Sequence, residues 1–334
     1  MEFKMKLAIG FITYGEHTAK YLPYFLPSLF KALAGLEDYK IFCWDNSEDN
    51  KNNVEFIANT YPQVEITESG KNIGFAAAYN KMMGKAGKSG AEYFLVINPD
   101  TVLAPEAIKE LIGIMDKDKT SGSASPKVLK WDFDGSRETN IIDTCGVKLK
   151  AGLKFVDLGQ GEIDKGQHDK AEILGPSGAA GIYRMSALER ITSPLAPLLG
   201  RRGGLKGRAG QYFDERMFMY KEDCDLAYRL KLAGFKARLV SKAIIYHDRT
   251  VSSAGKGFRA LFRGRKARKR QEKERSFLNQ HIIFLKYWHL QGFLGKLVII
   301  LRILAMFIYV LLFEQYLLGQ YGKLRLIKGK IDKF

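Results

Sequence analysis

Cysteine is scarce, with Cys43, Cys145 and Cys224 the only three in 334 residues. They are widely spaced, odd in number and without C-x-x-C pairing, so neither a disulfide framework nor a structural zinc site is expected, and a reducing compartment fits best. Acidic residues are also short, 36 against 53 lysines and arginines, for a formal charge of +17. That excess calls for a polyanionic partner: nucleic acid, a phosphate-bearing substrate or an anionic membrane surface. No G-x-x-x-x-G-K-[ST] occurs, which removes support for P-loop chemistry. No secretory signal is expected, because the apolar run in "MEFKMKLAIGFITYG" falls where a first strand belongs and no small-residue cleavage site accompanies it. What is plentiful is hydrophobic content, 46%, enough for one large domain with an appendage.

Charge and hydrophobicity are unevenly distributed. Residues 256–275 read "KGFRALFRGRKARKRQEKER", and residues 293–318 read "FLGKLVIILRILAMFIYVLLFEQYLL". The apolar stretch is long enough for a bilayer, though Lys296 and Arg302 interrupt it, and it is read as membrane-seated, spanning or interfacial. A polybasic neighbour adds attraction to an anionic leaflet. The plainer alternative is a buried core helix preceded by a solvated basic one. The expected division is a catalytic unit at 1–253 and a basic, apolar helical membrane-associating region at 254–334, on the cytoplasmic face of the cell membrane.

The first half alternates strand and helix patterns. Strands are expected at 6–13, 40–45, 64–67 and 93–98, with helices at 21–35, 53–59 and 75–85 and another opening at Pro105. Such alternation implies an α/β fold with parallel pairing through right-handed crossovers. Ligands then bind beyond the carboxyl ends of the strands, where strand order reverses.

Three polar clusters fall at those ends: Thr13-Tyr14-Gly15, Asp45-Asn46-Ser47 and Asn98-Pro99-Asp100-Thr101. Asp45 suits a ribose or base, and Asp100 a divalent metal, which takes hard oxygen ligands. Each cluster alone also reads as ordinary turn chemistry. Between them lies "GKNIGFAAAYN", residues 70–80, where Gly74 permits close backbone approach and a helix N-terminus offers N–H groups to an anion.

Seven segments in order, "FITYG", "WDNSEDN", "NIGFAAAYN", "INPDTVL", "GPSGAAGIYRMSAL", "FDERMFMYKEDCDLAYRLKLAGF" and "IYHDRTVSS", resemble the motif series of family 2 glycosyltransferases with a GT-A fold. The likeness is strongest to the rhamnosyltransferase-type members of bacterial surface polysaccharide synthesis and covers roughly three quarters of the chain. It implies an inverting transfer, without covalent intermediate, from a dTDP- or UDP-linked sugar to a lipid-linked or polysaccharide glycan, aided by Mg2+ or Mn2+. By this resemblance Thr13, Tyr14, Gly15, Asp45, Asn72, Gly74, Asn80, Asn98, Asp100, Gly178 and Ala179 hold the donor. Asp100 and His247 take the metal, with Asn98 standing where many members carry a first aspartate. Asp223 is the general base and Glu222 its acceptor-facing neighbour, while Asp225 is structural. Acidic residues opening a helix also suit its macrodipole, which is their ordinary reading.

Rival readings are a sugar nucleotidyltransferase, whose glycine-rich basic N-terminal loop is missing, a binding module without turnover, and a nucleic-acid-binding protein using residues 263–275. The last leaves the strand-end carboxylates and the apolar helix unexplained, so no nucleic-acid partner is expected. Donor sugar, acceptor linkage and oligomeric state have no signature in the sequence.

Overall fold

The computed structural model describes residues 5–49, 51–192, 211–249 and 269–331. The basic glycine-rich segment 200–210, most of the 256–275 run and the junction at 253/254 lie outside them. One mixed nine-stranded sheet organises the chain, in the order β3-β2-β1-β4-β10-β6-β11-β5 with β7 beside β6. Its strands are β1 (Met5–Thr13), β2 (Tyr39–Asp45), β3 (Val64–Glu68), β4 (Ala91–Ile97), β5 (Thr101–Leu103), β6 (Ser121–Asp132), β7 (Arg137–Thr144), β10 (Ala180–Arg184) and β11 (Lys236–His247). A separate hairpin joins β8 (Val147–Lys150) to β9 (Lys154–Asp157).

The first four strands are parallel, and β1 lies between β2 and β4, so strand order reverses there. Beyond β4 the pairing changes: β10 runs antiparallel to both β4 and β6. Local hydrophobic pattern cannot announce that insertion, because a strand covered on both faces looks the same in either direction.

Side-chain alternation along the strands divides the core. Leu7, Ile9 and Phe11 of β1, with Tyr93, Leu95 and Ile97 of β4, pack on α2 (Leu22–Ala32), α3 (Asn52–Thr60) and α5 (Ala107–Lys117). Ala8, Phe94 and Val96 face the other way, onto α4 (Gly74–Lys88), α6 (Met185–Thr192) and α7 (Glu222–Leu232). A short α1 (Gly15–Ala19) follows β1 directly.

The C-terminal helices are α8 (Arg270–Tyr287), α9 (Phe293–Phe313) and α10 (Gly319–Ile331). α7 lies between two cores. Leu226 and Leu230 face the sheet, while Cys224, Ala227 and Tyr228 join Ile282, Ile283, Tyr287 and Ile299 of α8 and α9. The segment beyond residue 269 is thus continuous with the packing of the acidic helix.

Candidate active site

β1 and β2 end in register, Thr13 opposite Asp45. The Thr13 hydroxyl donates to Asp45 Oδ1 at 2.6 Å and the Ser47 hydroxyl to the same oxygen at 2.9 Å, while the Gly15 N–H donates to Ser47 Oγ at 2.8 Å. Asp45 is buried and aimed by two hydroxyls, and Tyr14 stands 42% exposed beside it.

The start of α4 differs from expectation. The N–H groups of Ile73, Gly74 and Ala76 already donate to Asn46 Oδ1, Asn72 Oδ1 and the Phe218 carbonyl, so this helix end is not an open anion cradle. Glycine at 74 is required for another reason: φ is +84°, and a Cβ would lie 2.7 Å from the Phe218 ring and carbonyl. Asn80 is engaged within the protein. Its amide donates to the Phe213 carbonyl and Glu215 and accepts from the Phe213 N–H, fastening 213–215 to α4.

At the end of β4, the Asn98 N–H donates to the Ala179 carbonyl at 2.9 Å, joining that strand end to the loop before β10. Pairing of β5 with β11 sets His247 opposite Thr101 and brings His247 Nε2 to 3.3 Å from Asp100 Oδ2. His247 Nδ1 meets buried Asp143 Oδ2 at 2.9 Å, and Arg249 bridges Asp143 and Asp157. Burial works against an imidazolium here, yet the Asp100 and Asp143 carboxylates raise the His247 pKa to about 10.

The residues fit a divalent cation in part. Asp100 Oδ1 is buried without a hydrogen-bond partner, and a carboxylate on the far nitrogen is how metal-binding imidazoles are commonly oriented. A metal on Nε2 would replace the proton held there. No cluster of three or more His, Cys, Asp or Glu side chains suited to a metal occurs among the described residues, so other oxygens would have to complete the shell.

The acidic pair opens α7. Asp223 Oδ2 accepts the Gly178 N–H at 2.9 Å and Oδ1 accepts the Cys224 N–H at 2.7 Å. This contact sets the pair against the Gly175-Pro176-Ser177-Gly178 turn before β10. Burial raises the Asp223 pKa, and burial together with the Asp223 charge raises that of Glu222 well above the carboxylate range. Glu222 Oε2 and Ser177 Oγ, like Asp100 Oδ1, are buried and lack protein partners. Orphaned polar atoms of this kind need an explanation, and a polar ligand supplies one.

Asp225 faces elsewhere: fully buried, it pairs with Arg229 at 2.9 Å and with Lys286, and receives the Tyr287 hydroxyl at 2.6 Å. Its carboxyl is held below the usual range because Lys286 and Arg229 outweigh burial.

Sequence reasoning had missed Asp143, Asp157 and Arg249 behind His247, and the α8 side chains behind the acidic pair. No local motif marks them.

The family model described as glycosyl transferase family 2 matches residues 9–192. N-acetylglucosaminyl-diphospho-decaprenol L-rhamnosyltransferase from two Mycobacterium tuberculosis strains is 28% identical over 263 residues, covering 74% of this chain and 77% of that protein. Among solved structures, the crystal structure of GalNAc-T7 with UDP, GalNAc and Mn2+ aligns with a TM-score of 0.51 at 12% identity, over 73% of this chain and 43% of that one. The crystal structure of S. aureus TarS 1-349 aligns with a TM-score of 0.47 at 17% identity, over 84% of this chain and 72% of that one.

Proposed function

The chain belongs to glycosyl transferase family 2 and has the GT-A fold, and from that premise we propose that it moves rhamnose, with inversion, from a nucleoside-diphosphate sugar to a hydroxyl of a lipid-diphosphate-linked glycan. The observation that carries this reading is the Gly178 to Asp223 contact, which brings the acidic pair to the loop joined to the end of β4. The M. tuberculosis relative, named for rhamnose and a lipid-linked N-acetylglucosamine, supports the substrate class.

In this reading Asp45, aimed by Thr13 and Ser47, takes the nucleoside, and Ser177 donates toward the donor sugar. Asp223 accepts the proton of the attacking hydroxyl; its two N–H bonds fix its orientation and its raised basicity suits that work. Glu222, whose carboxyl is pushed well above its usual pKa by burial and by the Asp223 charge, faces the acceptor as a hydrogen-bonding group. Asp100 and His247 would hold Mg2+ or Mn2+, which when bound neutralises the departing diphosphate.

Thermal unfolding of detergent-purified protein with dTDP or UDP, with and without Mn2+, tests the donor site. A ligand present at about 100 times its Kd stabilises the fold by about 2.7 kcal/mol. A nucleotide-dependent rise in Tm that Mn2+ enlarges, and that Asp100→Ala reduces to the metal-free value, is expected. No rise with any nucleoside diphosphate would refute the donor site.

The same reading seats the enzyme on a membrane. α9 is 21 residues long, about 31 Å at 1.5 Å per residue, and mostly exposed: Phe293, Leu301 and Leu312 show 81, 56 and 67% of their surface. Ile299 and Val310 nonetheless pack on the protein, and Arg302 donates to the Gly152 carbonyl. Contacts along its length support a helix lying in the interface rather than crossing, with exposed Lys323, Arg325 and Lys328 of α10 near headgroups.

The wild type is expected to float with phosphatidylglycerol-containing vesicles. Leu301→Asp with Leu304→Asp should remain unbound, since interfacial binding is driven by the apolar area that these exposed leucines bury. Equal flotation of both proteins would exclude α9 as the seat.

A further inference from the structure

The chain enters the acidic helix through a strained turn. Phe218, Tyr220 and Lys221 have φ of +53°, +75° and +69°, three non-glycine residues in the left-handed region within four positions. Such conformations are unfavourable for side chains with a Cβ and persist only where surrounding structure holds them. The next two residues are Glu222 and Asp223, and the Phe218 ring and carbonyl close over Gly74 at the start of α4. The turn therefore connects the acidic pair to the helix that follows β3.

What holds the turn is α8. Asn279, 1% exposed, donates through Nδ2 to the carbonyls of Met217, Met219 and Tyr220 at 2.7, 2.9 and 2.7 Å. One turn earlier, the Arg275 guanidinium lies 4.2 Å from the Phe218 ring centroid. Two turns later, Lys286 reaches both Asp214, at 2.8 Å, and Asp225. Residues 275, 279 and 286 repeat at helical spacing and share one face. That face spans the approach to α7 from its 3-10 turn (Glu215–Met217) to Asp225.

We propose that Asn279 is a positioning residue for sugar transfer: its two amide N–H groups, one of them shared, hold the carbonyls of Met217, Met219 and Tyr220 and so set Glu222 and Asp223 against the Gly178 loop. Asn279 touches no reacting atom and acts through the backbone of residues 217–221. This inference rests on the assignment of Asp223 as the base. Without the two amide hydrogens, the turn can relax toward right-handed geometry and the first residues of α7 move with it. A misplacement of about 1 Å lowers turnover by roughly 100-fold.

The test compares full-length variants with dTDP-rhamnose as donor and N-acetylglucosaminyl-diphosphoryl prenol as acceptor. Asn279→Asp keeps the shape, removes the amide donors and sets a carboxyl oxygen against the same carbonyls. It is expected to lower kcat for transfer by about 100-fold, to leave the KM for dTDP-rhamnose unchanged, and to raise donor hydrolysis relative to transfer. Lys221→Gly in the same background should restore part of kcat, because glycine adopts the left-handed conformation without penalty. Ile283→Ala, a truncation in the same helix, serves as the stability control.

Wild-type kcat in Asn279→Asp, no rescue by Lys221→Gly, or an equal loss in Ile283→Ala at matched Tm would each overturn the proposal. Should Asn279→Asp not fold, Asn279→Ser, which keeps one donor, carries the same comparison. Full transfer by Asp223→Asn would instead overturn the base assignment, an outcome distinct from failure of the Asn279 clamp.

Discussion

Asp223→Asn is expected to lower sugar transfer by about 10²–10⁴-fold, the usual contribution of a general base. The substitution is nearly isosteric and Asn Oδ1 can still accept the Gly178 or Cys224 N–H, so the fold and the nucleotide-induced rise in Tm should persist. The capacity to take a proton is lost, together with one of the two N–H bonds. The wild-type pH profile should carry the matching signature. A base works ionised, and burial raises the Asp223 pKa, so kcat should fall as pH drops through an apparent value raised from the usual aspartate one. That value belongs to the Glu222–Asp223 pair, because two neighbouring carboxyls titrate together. Steady-state kinetics across pH with both proteins checks this; unchanged kcat in the variant would refute the assignment.

The second large effect is on stability. Lys286→Met removes the ammonium shared by Asp214 and Asp225, which are 9% and 0% exposed, and leaves Asp214 with Arg216 and Asp225 with Arg229 and the Tyr287 hydroxyl. Breaking a buried ion network by removing one partner costs about 3–5 kcal/mol, a large share of the roughly 5–15 kcal/mol that holds a domain folded.

The pH dependence has a definite sign. Both aspartates have lowered pKa values in the folded state, Lys286 and Arg216 outweighing burial at Asp214, and Lys286 and Arg229 outweighing it at Asp225. The stability they contribute is therefore present above the unfolded-state pKa of about 3.9 and is lost as pH falls through the folded values. The Tm gap between wild type and Lys286→Met should be widest near neutrality and narrow toward acid, as read by thermal melts across pH. A gap that is absent at neutral pH, or constant with pH, would show that α8 does not brace α7 through this ion network.

Local chemistry explains how much of the molecule was legible. The strands ending at Thr13, Asp45 and Ile97 could be found because each is an apolar run stopped by turn residues, and parallel pairing then forces their ends to one rim. Likewise Glu222-Asp223 could be placed at a helix start, since both the macrodipole and the apolar spacing of α7 announce it.

Long-range register was invisible. His247 meets Asp143 across 104 residues, and Asn279 meets the turn across about 60, so no window of sequence contains either pair. The helix end at Gly74 looked open because the Phe218 carbonyl that caps Ala76 comes from far along the chain. α8 misled for a physical reason as well: Arg275 belongs by composition to the basic run 256–275 yet lies against an aromatic ring, and Lys286, farther along, points onto two buried carboxylates. Charge counting sees the cation and not the partner that neutralises it.

The most direct test of the central claim is the reaction itself. Wild-type enzyme, Mn2+ and dTDP-rhamnose are incubated with N-acetylglucosaminyl-diphosphoryl prenol in phosphatidylglycerol-containing vesicles, and lipid and nucleotide products are resolved by mass spectrometry. The expected result is acceptor heavier by one deoxyhexose with release of dTDP in equal amount. Unchanged acceptor with dTDP- and UDP-sugars alike, or release of a nucleoside monophosphate instead of the diphosphate, would contradict it.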